Sequence, residues 1–208
     1  MATLSTGSDE PSNQLDEYQE RYLAHQQHGK KDELIALMKE RHSYRRYDDK
    51  PVDKDLLQAV INSTALVPSS CDRHGVRIKI ITSRDDKSLL NGLLVGGVGW
   101  IYRAPVVLLL FADREAYKGG DNGDEINYNA LLDAGVMLQQ MQLMATANGL
   151  HSAFCNPQVR KENQEFFYER FKPKKWKDPL FCGAIALGYP PKDFKSKKRN
   201  PIKSMLID

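Results

Sequence analysis

Residues 128–148 read YNALLDAGVMLQQMQLMATAN, and they are followed by Gly149. Leu131, Leu132, Gly135, Val136, Leu138, Met141, Gln142 and Ala145 recur at helical spacing, and the segment carries almost no charge. A helix without a charged face belongs in the centre of a fold or in a large subunit interface. Gly149 stands where such a helix ends, because glycine takes the left-handed conformation without a Cβ clash.

The flanking segments supply the partners for this helix. VRIKIIT (76–82) alternates and is β-branched, so it reads as a strand. APVVLLLFAD (104–113) is a continuous apolar run between turn residues, which suits a strand buried on both faces. HSAFC (151–155) and LFCGAIALGYP (180–190) read as two further strands. Helices are expected over 32–40, with Leu34, Leu37 and Met38 on one face, and over 85–95 and 163–170. Another runs through Leu56, Leu57, Val60 and Ile61 behind an Asp53 cap. GLLVGGVGW (92–100) has neither the order nor the ending of a phosphate loop and reads as a turn or a close helix–sheet contact. Trp100 is assigned there to core or interface. This order of elements predicts an α+β fold or a three-layer mixed sheet. Residues 1–30 form a polar extension, either disordered or an arm, and residues 31–208 form one domain.

Composition excludes several classes. The 208 residues are 41% hydrophobic, and the formal charge is +3, too mild to suggest nucleic acid. Cys71, Cys155 and Cys182 are an odd, unmatched set, so no secreted disulfide framework or C-x-x-C site is expected. The N-terminus has no signal-peptide pattern, and the longest apolar run is too short to span a membrane. A cytoplasmic protein is expected. Five scattered histidines offer only His25 and His28 at helical spacing, so no metal is expected.

Three constellations could carry chemistry. In RHSYRRY (41–47), Arg41, Ser43 and Arg45 lie two apart and would project together from an extended chain. Two guanidinium groups around a hydroxyl suit a phosphate, though a solvated basic turn would read the same. The tail from Lys192 to Lys203 is basic and opposed only by Asp193. It suits a small anion better than nucleic acid. PSSCDRHG (68–75) is a turn-rich loop placed before a strand, where backbone and side chains can meet a ligand. Cys71 and His74 would need spatial contact and a third orienting group to act as a nucleophilic couple.

Four of these segments, in order, resemble the nitroreductase family of FMN enzymes. RHSYRRY resembles its Arg-x-Ser-x-Arg opening, and PSSCDRH its Pro-Ser-Ser-x-Asn-x-Gln-Pro-Trp loop. NALLDAGVMLQQMQLMATANGL resembles its central helix, and GAIALGYP with KKRNPI its last strand and basic stretch. The match spans Leu34 to Ile202. The resemblance implies a three-layer α-β-α fold around a mixed, mostly antiparallel sheet, and an interlocked homodimer with FMN at the interface. It implies that Arg41, Ser43 and Arg45 meet the FMN phosphate and ribityl chain, with Lys197 and Arg199 approaching the phosphate. Pro68, Ser69, Ser70 and Asp72 would line the flavin, and Gly149 and Leu150 would present backbone near its ring. The implied reaction carries hydride from NAD(P)H through FMN to a nitroaromatic or quinone by a ping-pong route.

This chain departs from the pattern at Asp72, His74, Gly75 and Val76, where the family has Asn, Gln, Pro and Trp. A carboxylate at Asp72 would disfavour further negative charge on the flavin, and His74 could donate a hydrogen bond or a proton. These changes leave room for a specialised FMN oxidase, dehydrogenase or flavin-modifying enzyme of the same fold. They also leave room for a non-catalytic domain that binds an anion or a partner.

Overall fold

The computed structural model describes residues 30–118 and 127–196. The chain divides into a segment ending at Met38 and a unit from Lys39 onward. The first is described only through its helix α1 (Lys30–Glu40), which begins two residues before the start expected from the sequence.

In the second unit, four strands form one sheet in the order β1-β2-β4-β3: β1 (Val76–Ile81), β2 (Val106–Asp113), β3 (His151–Cys155) and β4 (Pro179–Gly188). Every named pair is antiparallel. The parallel component of the expected mixed sheet is an isolated bridge, Ser43 to Ser152, on the outer edge of β3. Tyr44 N–H donates to the Ser152 carbonyl there at 2.9 Å.

Alternation along β2 sorts the core into two halves. Val106, Leu108, Leu110 and Ala112 face α2 (Lys54–Asn62) and α4 (Tyr128–Ala147), with Val60, Ala134, Met141 and Ile185 in the same cluster. Val107, Leu109 and Phe111 face α3 (Arg84–Leu93) and α5 (Gln164–Phe171), against Leu90, Phe167 and Phe181. Both faces of β2 are therefore apolar, as its uninterrupted run requires. The result is the three-layer α-β-α arrangement. Among the described residues no helix is long and apolar enough to cross a membrane.

Local signals set the boundaries. The Asp53 side chain accepts from Asp55 N–H at 2.8 Å and starts α2. Asn127 accepts from Ala130 N–H at 3.0 Å and starts α4. Gly149, at φ +69°, turns the chain out of α4 and into β3. A second glycine has a stricter role. The β2–β4 register slips between Leu110 and Phe111, where Gly183 sits at φ +135°. A Cβ on Gly183 would meet the Cys155 carbonyl oxygen at 3.0 Å. Gly183→Ala should therefore cost roughly 1–3 kcal/mol of unfolding free energy, from backbone strain and crowding. Urea unfolding would check this; unchanged stability would mean the bulge accommodates a side chain.

Candidate functional site

The loop from Pro68 to His74 is held from below by α4. Ser70 N–H donates to both carboxylate oxygens of Asp133, at 2.9 and 3.1 Å, and Ser70 Oγ donates to one of them at 2.8 Å. The Tyr117 hydroxyl donates to Asp133 Oδ2 at 2.7 Å. Asp133 is 6% exposed, and it is the one charged residue of α4. A buried carboxylate needs such donors, since leaving it unpaired would cost several kcal/mol. Burial first, and then the bond to Asp133, push the Tyr117 hydroxyl well above the ordinary phenol range, so it stays protonated as the donor.

Anchored at Ser70, the loop adopts an unusual backbone. Cys71, Asp72 and His74 have φ of 51°, 56° and 45°, a left-handed region that non-glycine residues enter at a cost of about 1 kcal/mol each. Ser69 closes the loop: its carbonyl accepts from Asp72 N–H at 3.0 Å, and its Oγ accepts from His74 N–H at 3.0 Å. His74 Nε2 lies 2.7 Å from Asp72 Oδ1. That pairing engages the imidazole with the carboxylate, while Cys71 is a free, exposed cysteine. Pro68, Ser69, His74, Tyr117, Asp133 and Met137 help line a cavity of about 540 Å³ beside the loop.

The second cluster forms where α4 ends. Tyr44 stacks on His151 with centroids 4.1 Å apart, and Phe194 packs edge-on against both rings, at 4.9 and 4.4 Å. Next to them Arg46 pairs with Asp193 at 2.7 Å. The Arg-x-Ser-x-Arg segment and the beginning of the basic tail are thereby fastened together, although nearly 150 residues separate them. A cleft of about 310 Å³ is lined by Tyr44, Arg45, Arg46, His151, Phe194 and Lys195. Arg45 lies over the Trp100 ring, with Cζ 5.3 Å from the centroid. His42 Nε2 is buried without a hydrogen-bond partner among the described residues.

The remaining expected contacts fall as follows. Arg41 and Ser43 are half-buried beside the β3 edge. The N–H groups of Gly149 and Leu150 are spent inside the helix cap, donating to Thr146 and Ala145 carbonyls at 2.9 and 2.8 Å. Lys197 and Arg199 lie outside the described residues. No group of three metal-ligating side chains converges among the described residues.

The profile of the Nitroreductase family matches residues 38–95 and 92–189. The chain belongs to the nitroreductase family. This makes it an FMN-dependent oxidoreductase. A nitroreductase relative, the FMN reductase [NAD(P)H] of Bacillus subtilis (strain 168), is 28% identical over 180 residues, 81% of this chain and 70% of that one. An FMN-dependent nitroreductase from Clostridium difficile R20291 superposes with a TM-score of 0.65 at 24% identity, covering 80% of this chain and 91% of its own. A nitroreductase-type protein of Desulfovibrio desulfuricans, solved in complex with FMN, gives 0.62 at 25% identity, covering 80% and 91%.

The residues present fit an anionic, hydroxyl-rich cofactor. Among the described residues no carboxylate pairs with Arg45, and none bonds the buried Nε2 of His42. The sequence reading found the Arg41–Arg45 segment and the loop, but it missed Asp133, Tyr117 and the His151–Phe194 contact. A lone acid on an otherwise uncharged helix was the available signal for Asp133.

Two outcomes follow from this geometry. Asp133→Ala removes the acceptor for Ser70 and Tyr117 and should cost about 3 kcal/mol of stability, with Tyr117→Phe costing roughly 1 kcal/mol. Denaturant unfolding with hydrogen exchange at Ser70 would show both effects, whereas an unchanged Ser70 amide would refute the anchoring. The second outcome concerns His151. Burial holds its pKa below the ordinary 6.5, against the opposing pull of the Arg46 carbonyl. Between the folded value and 6.5 the unfolded chain binds more protons than the folded one, so stability falls as pH drops through that window. His151→Gln should flatten the Tm profile below about pH 6.5. An unaltered slope would assign the pH dependence to other groups.

Proposed function

We propose that this chain is a cytoplasmic, homodimeric flavin reductase that takes hydride from NAD(P)H and delivers it to an electron-poor aromatic or quinone. The observation that carries the dimer is the separation of the two clusters. Asp133, which holds the loop, lies 14 residues before the end of α4, on the order of 20 Å along the axis at about 1.5 Å per residue. The contact of Tyr44 with His151 forms just past that end, and the cavity beside the loop and the cleft at Arg45 share no lining residue. On its outer face α4 exposes Tyr128, Leu132 and Val136, at 61%, 67% and 42%, and the last two line a shallow groove of about 440 Å³. An uncharged exposed face of this kind is suited to burial against a second copy. Pairing two copies through it would bring the loop of one to the Arg45 cluster of the other.

In this arrangement Arg41, Ser43 and Arg45 would hold the phosphate and ribityl chain by charge-assisted bonds. Pro68, Ser69 and Ser70 from the second copy would exclude water from the ring, with Asp133 holding the loop through Ser70. The chemistry FMN supplies when bound is hydride transfer in two half-reactions, first from NAD(P)H and then to the acceptor. His74, exposed and paired with Asp72, can hold a proton at the edge of the cavity. Apolar walls at Ile61, Val67 and Met137 suit an aromatic acceptor. The relative from Bacillus subtilis supports the nicotinamide donor by its name, FMN reductase [NAD(P)H]. Three free cysteines accord with a reducing compartment.

The Asp72–His74 pair favours a second reading, a specialised FMN oxidase, dehydrogenase or flavin-modifying enzyme. An anaerobic absorbance titration of FMN-loaded protein with NADH and NADPH separates the two. Bleaching that menadione or a nitroarene reverses supports the reductase. A bound flavin that neither nucleotide reduces supports the specialised enzyme. Leu132→Glu should give a monomer by light scattering and lose FMN by at least tenfold in affinity; a monomeric variant that retains full affinity would contradict the shared site.

A further inference from the structure

We infer that Trp100 is a positioning residue for the cofactor, holding the Arg45 guanidinium in place for an anionic group. The inference rests on the reading of Arg45 as an FMN contact. Arg45 and Arg46 are adjacent in sequence but differently committed. Arg46 is paired with Asp193 at 2.7 Å. Arg45 instead lies 5.3 Å from the centroid of the Trp100 ring, within cation–π range. Among the described residues no carboxylate pairs with it. Burial pushes the Cys155 thiol up to about 11 and raises the Tyr47 hydroxyl, so both are neutral when Arg45 is charged. Arg45 is therefore oriented by a ring and left electrically unspent.

Trp100 is itself fixed. It is 8% exposed, and its Nε1–H donates to the Gly96 carbonyl at 2.8 Å. The preceding turn is tied to α3 by Gly99 N–H donating to Asn91 Oδ1 at 2.7 Å. A Cβ on Gly96 would meet Cys155 Sγ and Asn156 Oδ1, both at 3.1 Å, so the glycine allows this turn to approach the end of β3. A long arginine side chain free in solvent loses rotamer freedom when it binds an anion. One already resting on an immobile indole loses less, and the saving appears as affinity. The GGVGW stretch, whose glycines form no phosphate loop, thus contributes to anion binding indirectly through its tryptophan.

The test is a double-mutant cycle read by quenching of FMN fluorescence on titration into apoprotein, with Arg45→Ala, Trp100→Leu, Trp100→Phe and the Arg45→Ala/Trp100→Leu pair. Arg45→Ala is expected to weaken FMN binding tenfold or more. Trp100→Leu is expected to weaken it roughly three- to thirty-fold, with Trp100→Phe between it and the native protein. In the Arg45→Ala background, Trp100→Leu is expected to add nothing. If it weakens binding equally in both backgrounds, Trp100 acts through general packing and the inference fails. If Arg45→Ala matters and neither Trp100 variant does, the inference fails while the flavin reading stands. If Arg45→Ala leaves affinity unchanged, the flavin reading of Arg45 fails as well.

Discussion

A single buried carboxylate organises the functional half of this molecule. Asp133 sits on a helix with no other charge, beneath a loop whose residues occupy a left-handed backbone region. Three donor groups satisfy it: the Ser70 amide, the Ser70 hydroxyl and the Tyr117 hydroxyl. Remove these bonds and an ionised group is left in an apolar layer. Keep them, and the loop cannot relax to ordinary backbone angles without breaking them. The cost of strain at Cys71, Asp72 and His74 is thus offset by the charge-assisted bonds at Ser70. Chain position, burial and loop conformation are coupled through this residue.

The other end of α4 uses a different device. There the chain reverses at Gly149, and β3 begins with His151, on which Tyr44 stacks. Phe194 and the Arg46–Asp193 pair bring the beginning of the tail to the same place. The exposed ion pair contributes little by itself, whereas the packed rings bury area and fix orientation. What matters functionally is the division of labour between neighbouring arginines. Arg46 is paired with Asp193, while Arg45 lies over the Trp100 ring with no carboxylate pairing it among the described residues.

Most of the fold was legible in the sequence because its signals are local. β2 showed as a continuous apolar run, β1 as an alternating β-branched one, and α2 was announced by Asp53. The bulge at Gly183 was not legible, since it depends on how β4 meets β2. The site was half legible. The Arg41–Arg45 segment and the Pro68–His74 loop stood out by composition and by resemblance. Asp133 did not, because helical periodicity treats it as one polar residue among apolar ones. Its partner Tyr117 and the ring contact between His151 and Phe194 arise only when distant segments meet in space. Gly149 was legible as a helix terminator, and its amide is engaged in that cap.

The central claim is that one flavin site draws the Arg45 cluster from one copy and the Asp133-anchored loop from another. Subunit mixing tests this most directly. Arg45→Ala and Asp133→Ala proteins, each deficient in FMN binding alone, would be unfolded, mixed and refolded together, and the bound flavin counted per dimer. A site shared between copies leaves each mixed dimer with one intact site and one doubly damaged site, so tight FMN binding returns at one flavin per mixed dimer. A site built within one copy leaves every site damaged, and no recovery on mixing would contradict the account.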